Sequence, residues 1–430
     1  MFPALRHRNF RLLWAGLLVS FSGSFMQTTA ILWHVSLLAP DGRKALALGM
    51  VGLVRIAPVV VFSLLSGVAA DALDRRKLML VTQTTMAALA AFLALITFDG
   101  RATLGAIYAL AAISSAAGAF DLPARQSLVV NLVPREDLPN AISLNTIMMQ
   151  IASVAGPGLG GLVIAWGGVA WVYAINAASF LVVIAALLMM RMERGSGPSE
   201  AEAGGRSTFT LDAALEGLRF VFRAPLIRST MLLDFFATFF SSATALLPIF
   251  AQDVLHVGAK GYGWLYAAPA VGAVLASAVM VRAVDWIERR GIVLLVSVAI
   301  YGAATTAFGF SRLFWVSFFC LAMTGVADTV SMIFRNLIRQ LETPDRLRGR
   351  MVGVNMVFFM GGPQLGELEA GLVANAFGPV ASVVSGGIGC LIATAWIAAK
   401  VPGLRAYRRI VLPAVPVEGD REQARAGEPG

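Results

Sequence analysis

The chain has 430 residues, of which 58% are hydrophobic and only 14% charged, whereas about a quarter of a soluble protein's residues are charged. In water this composition would expose a large apolar surface, but in a bilayer it would not. The net charge of +9 sits in segments that flank apolar runs, not in a basic tract, so it argues against nucleic acid as a partner.

A membrane-spanning helix needs about 20 mostly apolar residues. Taken in chain order, such runs occupy 10–39, 45–68, 78–98, 102–123, 141–165, 168–190, 229–252, 261–282, 291–311, 313–335, 351–375 and 378–399. The first follows Arg6, Arg8 and Arg11 in the manner of a secretory signal. It is too long for a signal's apolar region and lacks a small-residue cleavage site, so it reads as an uncleaved first span. Pro58, Gly156, Pro157 and Pro363 interrupt spans, as lipid-embedded helices tolerate. Residues 191–228 are polar. Gly195 to Arg206 reads as a flexible linker. Leu211, Leu215, Leu218 and Phe222 then recur at helical spacing, with Asp212, Glu216, Arg219 and Arg223 between them, which predicts an amphipathic helix on the membrane surface. The end of the chain is polar and contains Pro and Gly, predicting a disordered tail. The expected organisation is a six-helix bundle over 1–190, a linker with its surface helix over 191–228, a second six-helix bundle over 229–405, and a cytoplasmic tail over 406–430.

Alternate connections differ in charge. One set holds Arg43, Lys44, Arg101, Lys260 and Arg312, Arg55 lies inside a span, and the rest of the 34 Lys and Arg fall on the other side. The positive-inside rule therefore places both termini in the cytoplasm of a cell-membrane protein. Cys320 and Cys390 lie in apolar runs and His7, His34 and His256 are scattered, so neither a disulfide framework nor a metal cluster is expected. A phosphate-binding Gly-x-x-x-x-Gly-Lys-Ser/Thr loop is absent, so nucleotide-driven action within the chain is not expected, nor is a cofactor. Short loops leave no room for a catalytic domain, which disfavours a polytopic membrane enzyme. A non-transporting membrane sensor stays open.

The two sets of six spans echo each other. Asp121 in the fourth span matches Asp328 in the tenth, Val133-Pro134-Arg135-Glu136-Asp137-Leu138 is echoed by Thr343-Pro344-Asp345-Arg346-Leu347, Asn145 by Asn355, and Gly156-Pro157-x-x-Gly160 by Gly362-Pro363-x-x-Gly366. Because each half has an even number of spans, the repeat is parallel, with its axis along the membrane normal. Transporters built this way bind substrate near the midplane between the halves.

The loop between spans two and three reads Gly67-Val68-Ala69-Ala70-Asp71-Ala72-Leu73-Asp74-Arg75-Arg76-Lys77. Span five carries Gly156-Pro157-Gly158-Leu159-Gly160-Gly161, and span eleven carries Gly366-Glu367-Leu368-Glu369-Ala370-Gly371. With Pro123-Ala124-Arg125-Gln126 and Leu132-Val133-Pro134, these motifs resemble the major facilitator superfamily, and within it the enterobactin-exporter and macrolide-efflux branch, over roughly residues 3–405. Ala72 and Asp74 depart from the loop signature, which usually has a basic residue and Gly there. The resemblance implies an all-α fold of two six-helix bundles with no catalytic residue. It further implies secondary transport by alternating access, with efflux of a small amphiphile of the siderophore or drug class driven by proton antiport, from a monomer in the lipid bilayer. It also implies a cytoplasmic gate at Gly67, Asp71, Asp74, Arg75, Arg76 and Lys77, with Asp71 facing the start of span eleven near Gly349 and Arg350, and exporter-type helix packing at Gly156, Pro157, Gly160 and Gly161. For the packing motif, and for the basic residues of the loop, simple helix contact and positive-inside anchoring remain alternatives.

A charge within a span is costly in lipid and usually faces protein or water. Arg55 is the deepest. Asp234 and Asp328 lie in the inner halves of spans seven and ten, Asp121 lies near the inner end of span four, and Glu367 and Glu369 lie in the outer half of span eleven. Asp234 is spaced for a local pair with Arg228, Asp328 for one with Arg335, and Asp121 for interfacial water. The resemblance makes spans two and eleven neighbours. On that basis Glu369 is expected to pair with Arg55 and Glu367 to face the cavity as a proton carrier, although helix registration alone would also explain these charges. Gln27, Trp33, His34, Tyr262, Tyr266, Asn145 and Asn355 are candidate cavity-lining residues, with ordinary packing as the alternative for each.

Overall fold

The structure is a computed structural model, and it describes residues 2–40, 42–190, 211–344 and 347–408. The side chains of 63–72, 211–215, 217, 349–350, 352–353, 356–357 and 359–360 lie outside the described residues, as do most of the expected linker and tail.

The first half contains α1 (Arg8–Leu38), α2 (Lys44–Ala72), α3 (Arg75–Phe98), α4 (Leu104–Asn131), α5 (Leu138–Gly167) and α6 (Val169–Met189). The connecting stretch carries α7 (Leu211–Arg223), the expected amphipathic helix. The second half begins with α8 (Pro225–Phe240), which breaks into a 3-10 turn, the short α9 (Leu247–Ile249) and a π-helical turn over Phe250–Val254. It continues with α10 (Gly258–Ala283), α11 (Arg290–Phe310), α12 (Phe314–Glu342), α13 (Arg348–Phe377) and α14 (Pro379–Lys400). Among the described residues, 11 helical stretches are long and apolar enough to cross a membrane; α13, with undescribed side chains, is a further helix of 30 residues. The chain is an all-α membrane protein of two six-helix bundles, as expected.

Local chemistry sets several helix ends. Asp74 occupies the N-cap of α3 and accepts hydrogen bonds from the backbone N–H groups of Arg76, at 2.9 Å, and Lys77, at 3.1 Å. A carboxylate at that position satisfies donors that no helical carbonyl reaches. The turns α5–α6 and α13–α14 each pass through one glycine with positive φ, Gly168 at 87° and Gly378 at 92°. Only glycine adopts this region without strain, and the two turns occupy equivalent places in the repeat. The expected span over 229–252 lies within a membrane-spanning stretch Pro225–Val254, which is helical but broken after α8. α8 ends at Phe240, and Pro248 lies in the first turn of α9, where its missing N–H costs no helical hydrogen bond. Ser242 Oγ donates to the carbonyl of Thr238, at 2.6 Å, and to that of Pro363 in α13, at 3.1 Å.

Among the described residues, the halves share one hydrophobic core. It runs from Leu32, Val35, Leu48 and Ile164 in the first to Phe250, Tyr262, Phe308 and Ala370 in the second. All of these lie toward the membrane face opposite the chain termini, here called the far face. On the terminus-bearing face, the cores around Phe10, Leu128 and Leu187 and around Leu294, Phe334 and Ile338 each draw on one half alone. Two helix pairs make the far-face seam, α2 with α13 and α5 with α10. At each, two glycines bring the backbones together. A Cβ on Gly371 would lie 2.7 Å from Gly49 Cα, and one on Gly161 would lie 2.7 Å from Gly263 Cα. Only residues without side chains permit such an approach.

Candidate functional site

The buried charges separate into two groups. The first lies in the second half, between α8 and α12. Arg335, 1% exposed, has Nη1 2.8 Å from Asp234 Oδ1 and Nη2 3.1 Å from Asp328 Oδ1. The expected Asp328–Arg335 pair is present. The expected Asp234–Arg228 pair is not: Arg228 donates to the Phe222 carbonyl at 3.4 Å, and the partner of Asp234 comes from another helix. The equivalent acid of the first half also departs from expectation. Asp121 is buried, not interfacial, and accepts hydrogen bonds from Thr82 Oγ1 and Gln83 Nε2, both at 2.9 Å. Arg125, one turn on, places its guanidinium 4.3 Å from the Phe21 ring centroid. The repeat therefore conserves an acid in position and gives it different partners.

The second group lies at the seam between the halves. Arg55 of α2 donates from Nη2 to Thr28 Oγ1 of α1 at 2.9 Å. Facing it across the seam is Glu367 of α13. Its carboxylate fills the notch left by Gly52, so that a Cβ there would lie 2.7 Å from Glu367 Oε2. Oε2 is buried and has no hydrogen-bond partner. Arg55 and the Tyr266 phenol of α10 are close enough to Glu367 to interact with its charge. Tyr262, one turn before Tyr266, donates its hydroxyl to the Thr29 carbonyl at 2.9 Å and stacks on Trp33, with ring centroids 5.1 Å apart. Among the described residues, no carboxylate oxygen lies within 4.0 Å of an Arg55 nitrogen.

The expected pairing of Glu369 with Arg55 is thus corrected. Glu367, not Glu369, turns toward α2 and Arg55. The two lie two residues apart, about 200° around a helix, so only one can take that face. The notch at Gly52, unremarked in the sequence, selects which.

Other expectations divide. Gln27 is engaged by Asn176, whose Nδ2 donates to Gln27 Oε1 at 2.7 Å. His34 Nδ1 lies 3.1 Å from the buried Tyr173 hydroxyl. Both are structural contacts. Asn145 and Asn355, at matching places in the repeat, each hold a buried Oδ1 with no partner. In the loop signature, Asp74 caps α3, and Arg76 Nη2 donates to the Leu188 carbonyl at 3.1 Å, fastening α3 to the end of α6. The side chains of Gly67, Asp71, Gly349 and Arg350 lie outside the described residues. In the glycine-rich motif of α5, a Cβ on Gly156 would lie 2.8 Å from the Ser22 carbonyl oxygen and one on Gly160 3.3 Å from Met26 Cα, both on α1, while Gly161 meets α10. Among the described residues no group of three or more His, Cys, Asp or Glu is placed to hold a metal ion.

A helical frame with charged seams of this kind matches known transporters. The profile of a family described as transmembrane secretion effectors matches residues 1–415. The chain belongs to that family, within the major facilitator superfamily. Its curated relatives include the enterobactin exporters EntS of Escherichia coli O1:K1 / APEC and of Shigella boydii serotype 18, each 28% identical over 346 residues, covering 80% of this chain and 81% of the relative. Among solved structures, a bacterial homologue of the human lysosomal transporter Spinster, inward-facing and unoccupied, aligns with a TM-score of 0.72 at 15% identity, over 94% of this chain and 99% of that one. A bacterial homologue of the iron transporter ferroportin, inward-facing, aligns at 0.65 and 17%, over 90% and 98%. At these identities the structures share the fold. Membership in this family makes the chain a transporter, not an enzyme.

Proposed function

We propose that this transporter exports a small amphiphilic molecule of the siderophore or drug class across the cell membrane, by alternating access coupled to proton entry. Glu367 is the proton carrier in this reading and Arg55 its electrostatic counterpart. The single observation that carries it is the Glu367 carboxylate at the seam between the halves, with a buried, unpartnered oxygen beside Gly52 and Arg55. Its position on α13 lets its charge state act on the α2–α13 contact. The attraction to Arg55 is present when Glu367 is ionised and lost when it is protonated, so its charge state biases the balance between the two states of the seam. The relatives' printed function, enterobactin export, supports the substrate class and the direction. The charge asymmetry of the loops supports cytoplasmic termini, and the six-helix bundles are the two moving units of a monomer.

The test uses inverted membrane vesicles and a panel of siderophores and amphiphilic drugs, with an imposed gradient, lumen acidic. Wild-type protein accumulates at least one compound, and dissipating the gradient abolishes this. Glu367→Gln is expected to remain folded in the membrane, bind that compound, and lose gradient-driven uptake by one to two orders of magnitude, while Glu369→Gln retains it. Undiminished gradient-driven uptake by Glu367→Gln would remove this acid from the coupling.

A further inference from the structure

Glu367 has a neighbour that the sequence motifs do not mark. Gln364 lies one helical turn earlier, and residues three apart share a face. Its backbone carbonyl oxygen is 2.7 Å from the Cβ position of Gly52, as is Glu367 Oε2, so both residues sit against the same notch in α2. Gln364 Oε1, like Glu367 Oε2, is buried and without a hydrogen-bond donor. Leaving a buried acceptor unsatisfied is costly, and two together on one face of one turn are rarer still. Two acceptors cannot satisfy each other. They can do so when one carries a proton: a protonated Glu367 donates its O–H to Gln364 Oε1, and a single proton then serves both.

We infer that Gln364 is a positioning residue that receives the Glu367 hydroxyl in the protonated state, opposing Arg55, which attracts the carboxylate in the ionised state. This rests on the reading of Glu367 as the proton carrier and adds the group that holds the carrier while it is loaded. The other groups facing Glu367 are few. From α2 comes Arg55, and from α10 come Tyr262, already donating to the Thr29 carbonyl, and Tyr266. The broken end of α8 contributes the hydroxyls of Thr238 and Ser242, which donate to carbonyls. The charged group of α14 is Lys400, at its terminus-bearing end, where α7 also meets α13. Thr238 and Ser242 lie against Gly362 and Gly366, and among the described residues of α13 only Gln364 offers a buried, unpartnered neutral acceptor one turn from Glu367.

The two partners predict opposite displacements. Infrared difference spectroscopy of the purified full chain in proteoliposomes, titrated between pH 4 and 10 (order-of-magnitude range set by carboxyl and phenol titration), isolates the carboxylic C=O band that disappears in Glu367→Gln. Gln364→Met keeps side-chain volume and removes the acceptor. It should move the midpoint of that band to lower pH by roughly 0.5–1 unit, the size of one net hydrogen bond. Gln364→Asn, which withdraws the amide by one carbon, should move it the same way by less. Arg55→Gln should move it to higher pH. If no band depends on Glu367, the proton-carrier reading itself fails. If the band titrates and Arg55→Gln shifts it, but both Gln364 variants leave its midpoint and frequency unchanged, the role of Gln364 is overturned and the carrier stands. A purely structural Gln364 would lower the unfolding temperature without moving the band.

Discussion

Arg335 shows what a buried charge requires of its surroundings. It is 1% exposed and holds carboxylates on two helices, so truncating it strands Asp234 without its cation in an apolar bundle. Breaking one partner out of a buried pair typically costs about 3–5 kcal/mol. Arg335→Ala is therefore expected to lower the thermal unfolding midpoint in detergent well below wild type, and adding Asp234→Asn should recover part of the loss, because the stranded charge is gone. Equal midpoints for wild type and Arg335→Ala would mean that the triad contributes nothing to stability. The sequence marks every one of these charges, since a charge in an apolar run stands out. It does not mark their partners. Asp234 lies six residues after Arg228, and a local pair is the natural reading; the actual partner is on α12. Likewise the alternation of Glu367 and Glu369 says that only one faces α2, but the choice depends on where Gly52 leaves room. Side-chain identity and helical period are local information, while partner choice is set by contacts between distant helices.

At the scale of elements, the period and length of apolar runs place most of the long helices to within a few residues, though α4 and α12 run on past the expected 123 and 335 to Asn131 and Glu342, and the helix after the linker is found at α7. A further exception is the seventh span, where Ser241 and Ser242 break what hydropathy reads as continuous. Hydropathy measures affinity for lipid and is blind to local backbone geometry. The Gly-rich motif of span five is legible as close packing, yet its partner glycine on α10 carries no motif. The two far-face contacts, Gly49 with Gly371 and Gly161 with Gly263, occupy related positions in the repeat, and this makes them a matched pair of closures. Gly161→Val would force a side chain into the Ala259 carbonyl and Gly263, with its Cβ at 2.6 Å and 2.7 Å. Overpacking of this kind costs about 1–3 kcal/mol, enough to move a two-state balance roughly five- to a hundredfold. The expected result is an opened far face. A cysteine replacing Ser36, which is buried and accepts from Gln252 Nε2 at 2.8 Å, should be unreactive toward a membrane-impermeant maleimide in the wild-type background and reactive with Gly161→Val. Equal protection in both, with the variant folded and inserted, would show that this glycine pair does not hold the far face.

For the whole molecule, the orientation in the membrane follows from charge alone, and it decides the meaning of every other contact. The connections on the terminus-bearing face include 73–74, 132–137, 284–289 and 343–347, while those on the far face include 99–103, 255–257 and 311–313. Most of the 34 Lys and Arg belong to the first set or to the segments beside it. If insertion retains such loops in the cytoplasm, as proposed above, the far face, where the halves share their core, is the outer one. With that proposed orientation the described core that both halves share lies on the outside. Were the orientation reversed, the same geometry would describe an importer-like starting state, and proton entry would act on the wrong side of Glu367. Two exposed positions discriminate, Glu288 on the terminus-bearing face and Arg101 on the far face. In a background with Cys320 and Cys390 replaced by Ala, Arg101→Cys should be labelled by an impermeant maleimide in intact cells, and Glu288→Cys only after the membrane is permeabilised. Both native cysteines are buried, so their removal changes little outside the core. Labelling of Glu288→Cys but not Arg101→Cys in intact cells would invert the molecule, and export with it.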